Sequence, residues 1–253
     1  MAARLTTFTF EQALAVAGRK ISRSTVDDFG ATAANFAQNY IWDKYDWRWS
    51  LATLPPFYVV PNEQDHGAPA VVIPPDFYGL RTAYLIRSDN TPPFRMPLKI
   101  IKDLEETHIR YLPHAIWYQP DKRAFRIMPR LPDNIGSPMY FVNGTYKKLP
   151  VNLTAATLNT TLLPSDDIYS QAWVETLKWA LLSMDGDQRA GTISEAGGNL
   201  VANGQAAMMI SMIKWMAEKE GLELGDPAIA PAEPLVVSGS WRPFLYGVGV
   251  GGW

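Results

Sequence analysis

Apolar residues in this chain recur at helical spacing towards both ends and in short, interrupted runs between them. After Ser24 the row Val26, Phe29, Ala33, Phe36, Ala37, Tyr40 and Ile41 keeps a three-to-four spacing and predicts a helix. Ser24, Thr25, Asp27 and Asp28 supply capping oxygens and negative charge at its positive end. The row runs into an aromatic block of Trp42, Tyr45, Trp47 and Trp49. A shorter helix is predicted over residues 10–18, with Ala13, Leu14 and Ala17 on one side.

From residue 50 to 149 the texture changes to β-branched and aromatic runs cut by prolines, among them Pro55, Pro56, Pro61, Pro69, Pro74 and Pro75. Such breakers permit short strands and no long helix. Residues 115–118 and 124–128 flank a turn centred on Pro120 and Asp121. Residues 139–142 and 145–148 flank Asn143-Gly144, the pair best suited to a type I′ turn. Two hairpins are therefore expected in a β-rich middle.

Helical spacing returns after Pro164. Ser165, Asp166 and Asp167 form an N-terminal signal, Tyr169, Trp173, Leu177, Ala180, Leu181 and Met184 line one face, and Gly186 is the stop. A last helix is predicted over about residues 200–219, with Met208, Met209, Met212, Ile213 and Met216 on its apolar side and Gly221 beyond it. Gly191, Gly197 and Gly198 between the two mark a loop. Residues 225–253 combine Pro227, Pro231, Pro234 and Pro243 with a glycine-rich end, and this composition builds no core of its own. The rings of Trp241, Phe244, Tyr246 and Trp253 in that segment imply a surface that receives them.

The expected fold class is α+β. N- and C-terminal helices form a small bundle, with a β-rich subdomain inserted between them and an extended C-terminal arm. The expected divisions are residues 1–49, 50–164, 165–221 and 222–253.

Length and composition allow this: 253 residues with 47% hydrophobic content can bury a sizeable core. The 9 Trp and 11 Tyr suit core packing first and protein contacts second. A net charge of -2 gives no broad basic field and argues against nucleic-acid binding as the main function. With no cysteine, disulfides, thiolate nucleophiles and cysteine metal sites are excluded, which suits a reducing compartment. The first ten residues lack an apolar core and no apolar run nears about 18 residues, so neither a signal peptide nor a membrane anchor is expected.

No constellation carries chemistry. His66, His108 and His114 are scattered, without metal-site spacing, and read as polar surface residues. There is no phosphate-binding glycine loop and no Gly-x-Ser-x-Gly elbow. Of the acid pairs Asp27-Asp28, Glu105-Glu106 and Asp166-Asp167, which could be imagined as a glycosidase dyad, two sit at predicted helix starts, where carboxylates are common for electrostatic reasons. Asp185-Gly186-Asp187 lacks the rest of a calcium loop. No catalytic residue, metal or cofactor is assigned. Cations concentrate in the middle, where Arg81, Lys99, Lys102, Arg123, Arg126 and Arg130 either face passing DNA or form a solvated face.

Three stretches carry a resemblance: Ala34-Asn35-Phe36-Ala37 leading through Trp42 into Asp46-Trp47-Arg48-Trp49-Ser50; Val72-Ile73-Pro74-Pro75-Asp76-Phe77-Tyr78-Gly79-Leu80-Arg81; and Leu163-Pro164-Ser165-Asp166-Asp167. Over roughly residues 25–190 the chain resembles the head-to-tail adaptor, or tail tubular, proteins of tailed bacteriophages, especially the short-tailed ones. The order of elements is similar too.

The resemblance implies a virion structural protein assembled in the host cytoplasm, forming a ring of generally twelve copies under the portal. Its partners would be further copies of itself, the portal protein, tail or nozzle proteins and, transiently, the genome during ejection. It also implies a C-terminal arm that docks into the portal, with Trp241, Phe244, Tyr246 and Trp253 as anchors; glycine-rich tails are not a regular mark of the family. The competing readings are a carbohydrate-binding or hydrolytic tail protein, with Trp47, Trp49 and Trp117 stacking on sugar, and a nucleic-acid binder, against which the net charge speaks.

Overall fold

The structure is a computed structural model that describes residues 6–88, 95–101, 112–132, 139–196 and 199–222. It is α+β. Helix α1 (Phe10–Ala17) starts on a capping box, in which the Thr9 hydroxyl accepts from the Gln12 N–H and the Thr9 N–H donates to the Gln12 side chain. Helix α2 (Arg23–Lys44) begins after Ser22 with no side-chain cap, so the oxygens expected to cap it do not.

Of the expected apolar row of α2, Ala33, Ala37 and Ile41 are buried and Val26, Phe36 and Tyr40 pack at the edge of the same core. The residues the helix buries are Gly30, Ala33, Ala34, Ala37, Ile41 and Trp42, together with Thr25 and Gln38, while Phe29 is 37% exposed. Small residues win this face because they let a neighbouring helix approach closely. That neighbour is α3 (Ser170–Met184).

Expected to start at Ser165, α3 instead follows a 3₁₀ turn at Asp167–Tyr169. The polar residues read as its caps are used elsewhere. Ser165 is fully buried and its hydroxyl accepts from the Trp173 indole N–H at 2.8 Å. The Asp167 carboxylate accepts from the Thr7 and Phe8 N–H groups and the Thr7 hydroxyl, fastening the N-terminal segment to the bundle.

Helix α4 (Gly204–Lys219) buries Ala206, Met209, Ile213, Met216 and Ala217, while Met208 lies outside at 51% exposure. Its expected first turn is strand. What read as a loop is the antiparallel pair β9 (Ile193–Ala196) and β10 (Asn199–Ala202), two short segments of mixed polarity that flank Gly197-Gly198 at hairpin spacing.

Among the described residues the middle of the chain forms two four-stranded sheets. The first has the order β1 (Leu51–Tyr58), β8 (Tyr140–Lys148), β3 (Phe77–Arg87) and β4 (Arg95–Pro97). The second has the order β2 (Asp65–Gly67), β7 (Ala124–Met128), β6 (Ala115–Gln119) and β5 (Lys99–Ile100). Leu54, Phe57, Leu85, Ile116, Phe125, Ile127 and Val142 form one core with residues of both sheets. The β6–β7 hairpin is the expected one.

The hairpin expected at Asn143-Gly144 does not form. Residues 140–148 are one strand at the centre of the first sheet, with Gly144 paired to Leu54 on one side and Ala83 on the other. A Cβ at Gly144 would stand 1.9 Å from the Thr82 carbonyl oxygen, so glycine serves a close approach of strands rather than a turn.

The expected boundary at residue 164 lies beyond the last strand of the insertion. After β8 the chain returns to the helices, where Leu153 and Leu163 join the helical core with Trp47, Trp49 and Trp173. Asn35 of α2 clamps this return segment, donating to the Leu153 carbonyl at 2.7 Å and accepting its N–H at 2.8 Å. Among the described residues no helix is long and apolar enough to cross a membrane.

Candidate functional site

Helices and sheets are joined by a cluster of charges drawn from three distant parts of the chain. Asp46 follows the end of α2, Arg81 lies on β3 and Lys147 on β8. Arg81 Nε stands 2.7 Å and Lys147 Nζ 3.3 Å from the same Asp46 oxygen. The Lys147 ammonium also donates to the Tyr45 carbonyl at 3.0 Å, and the Trp42 indole N–H donates to the Lys148 carbonyl at 2.8 Å. The Lys147 side chain is 2% exposed, and burial pushes its pKa down against the pull of the Asp46 charge. An ion pair held this way acts as a brace: it fixes the β insertion against the bundle.

Of the six cations singled out for DNA, the five that lie among the described residues are not brought together. Arg81 belongs to this junction, its side chain only 15% exposed. Arg126 makes a two-point contact with Asp65 at 2.6 and 2.9 Å, joined by Lys122 at 3.2 Å, and this pairing holds the Asp65 carboxyl at about 2. Arg123 is exposed in the β6–β7 turn with φ of 47°. Lys99 and Arg130 are exposed at the opposite end of the same sheet, since Lys99 pairs with Ala115 and Ala115 with Met128. Lys102 lies outside the described residues, as do all four rings of the C-terminal arm, Trp241, Phe244, Tyr246 and Trp253.

His66 corrects the reading of a surface histidine: it is 3% exposed. Its Nε2 accepts the Val60 N–H at 3.1 Å and its Nδ1 faces the Gln64 carbonyl at 3.2 Å, which assigns the Nδ1–H tautomer. Burial pushes its pKa down. His114 is half-buried, and His108 lies outside the described residues.

The rings proposed for stacking on sugar do not share a surface. Trp47 and Trp49 are buried in the helical core, stacked at 5.6 Å, while half-buried Trp117 on the second sheet has the Arg126 guanidinium 6.0 Å from its ring centre. Among the acid pairs, Asp27 and Asp28 are exposed on α2, Asp167 is committed to Thr7 and Phe8, and Glu105 and Glu106 lie outside the described residues. Asp185 accepts from the Thr25 hydroxyl, and Asp187 pairs with Arg189. Among the described residues no three His, Asp or Glu side chains cluster to hold a metal.

Sequence reasoning missed a second surface feature, an aromatic seam between α2 and α3. Phe36 and Tyr40 flank Trp179 at 5.4 and 5.3 Å, all three half-buried, and the Lys44 ammonium stands 4.6 Å over the Tyr40 ring. The seam ends in a shallow recess lined by Tyr40, Lys44, Tyr45, Ile210, Ile213 and Lys214. Burial pushes the Tyr40 hydroxyl up to about 12 and the Lys44 ammonium down. The signal was present in the sequence in the row Val26, Phe29, Ala33, Phe36, Ala37, Tyr40 and Ile41, of which Phe36 and Tyr40 lie at the edge of the helical core.

No family model matches the chain, and no curated protein matches it.

Proposed function

We propose that the chain is a virion structural protein of a tailed bacteriophage, a head-to-tail adaptor that joins further copies of itself in a ring between portal and tail, through which the genome passes. It works by binding and not by catalysis. The observation that carries this reading is where the resembling stretches meet. Asp46, in the first, contacts Arg81, which closes the second, 2.7 Å apart. Asp76 of the second accepts from Tyr146 on β8, and Ser165 of the third anchors Trp173 in the helical core.

The Asp46–Arg81 contact thus joins the terminal helices to the inserted β unit, and a helix–insertion subunit of this kind supports the reading. Helices carry contacts between copies while a stiff insertion points along the axis. The aromatic C-terminal arm is the portal-docking element in this reading, and repetition around a ring multiplies a modest contact. Mass measurement of the purified protein with and without the portal of the same virion tests the proposal. A complex with many copies per portal is expected; a protein that ignores the portal under every condition contradicts it.

A further inference from the structure

Two apolar cores lie on either side of the Asp46 cluster. The helical core takes in Trp47, Trp49, Leu153 and Leu163, the β core Leu54, Phe57, Leu80 and Val142, and among the described residues no member is common to both. The chain passes between them twice. On the way out it runs from Trp49 to Leu51, the first residue of β1; on the way back it leaves β8 at Lys148 and crosses through Leu149, Pro150 and Val151. Leu51 pairs with Lys147, so the two crossings lie side by side and form a two-stranded neck. The returning strand of the neck is anchored separately at its two ends. The Leu149 N–H donates to the Asp76 carbonyl of the insertion at 2.6 Å, while the Val151 carbonyl accepts from Gln38 of α2 at 2.9 Å, and the side chains of Leu149 and Val151 are exposed.

Arg81 reaches Asp46 because β3 slips register against β8 at Tyr78 and again at Arg81 itself, and bulges of this kind re-aim a side chain. The fit is incomplete: Arg81 Nη2 is buried without a hydrogen-bond partner. The closed arrangement therefore carries an unmet donor that a more open one would hydrate. Separate cores, a narrow neck and a polar contact at its side are the conditions under which one body turns against another. We infer that the β insertion swings as a unit about this neck, and that Asp46, gripping Arg81 and Lys147, is the latch that selects one angle. The bond from the Trp42 indole to the Lys148 carbonyl lies at the neck and serves as the pivot. With the latch released the helices keep their packing while the insertion changes direction, so the same bundle contacts are compatible with more than one angle. The device belongs to the single chain and does not depend on the adaptor reading.

Because the chain has no cysteine, a pair of spin labels can be placed at chosen positions. Ser183, exposed near the end of α3 beside the contact of Asp185 with Thr25, and Ser88, exposed just beyond β3, lie on opposite sides of the neck. Pulsed electron paramagnetic resonance on the full chain carrying S88C/S183C reads the distance across the neck, and S88C/Q64C reads one within the insertion. A single dominant distance across the neck is expected with the latch intact. D46N and R81Q should each raise the population of other distances about fivefold, with the S88C/Q64C distance unchanged. A neck distance that ignores both substitutions, a spread already as broad with the latch intact, or a spread that appears equally within the insertion would overturn the inference.

Discussion

Lys147 reaches out of the central β-strand to donate to the backbone carbonyl of Tyr45 at the end of α2, 3.0 Å away, beneath a surface that leaves it 2% exposed. One side chain thus ties sheet to bundle, and Asp46 compensates its charge. Replacing Lys147 by Ala leaves a cavity and an unpaired carbonyl. Breaking a fully buried pair costs roughly 3–5 kcal/mol; Asp46 is partly exposed and keeps Arg81, so about 2 kcal/mol is expected for K147A. K147M should cost less, since it keeps the volume. Urea unfolding of both variants checks the order.

Gly144 and Gly186 give opposite reasons for being glycine. The first is closely hemmed by Thr82 in the sheet, the second has φ of 71° with nothing near its missing Cβ. G144A is expected to cost about 3 kcal/mol or more through strand displacement, and G186A about 1 kcal/mol through backbone strain alone. If Asn143-Gly144 were a turn, the two would behave alike.

Acid should destabilise the fold in two separable steps. His66 is held neutral when folded, with its pKa below the usual value, so an unfolded chain takes up a proton first. Its contribution is intact above about pH 6.5 and shrinks as pH falls below that towards the folded value. Asp65, depressed to about 2 from 3.8 by Arg126, contributes above about pH 4 and loses that contribution as pH falls towards 2. Denaturation midpoints across pH should show both windows. H66F should flatten the upper window and leave the lower one.

Removing residues 238–253 should leave the thermal transition of the protein in place and abolish its capture by the portal. Loss of folding would instead make the arm part of the core. Circular dichroism and a pull-down on the same sample separate the two.

What the sequence disclosed followed local chemistry. The β6–β7 hairpin was legible because Pro120 and Asp121 interrupt two alternating runs, and α3 because Trp173, Leu177 and Leu181 keep one face to Gly186. Asn143-Gly144 misled because turn propensity yields to tertiary pairing when a strand has neighbours on both sides. The face of α2 was legible for the most part, since Ala33, Ala37 and Ile41 are buried as their spacing implied; Phe29 is the member of the row left outside, while Ala34, not in the row, is buried. The hairpin at β9 and β10 was written in Ile193 and Val201 around two glycines, a signal outweighed by the glycines themselves. Asp46, Arg81 and Lys147 had no sequence signal, since their partnership exists only after the insertion folds back on the helices.

The central claim, a ring subunit between portal and tail, is tested most directly by electron micrographs of the protein incubated with its portal. The account predicts a second closed ring of repeated density seated on the portal, absent when residues 238–253 are removed. Portals that remain bare beside folded, unattached protein would contradict it.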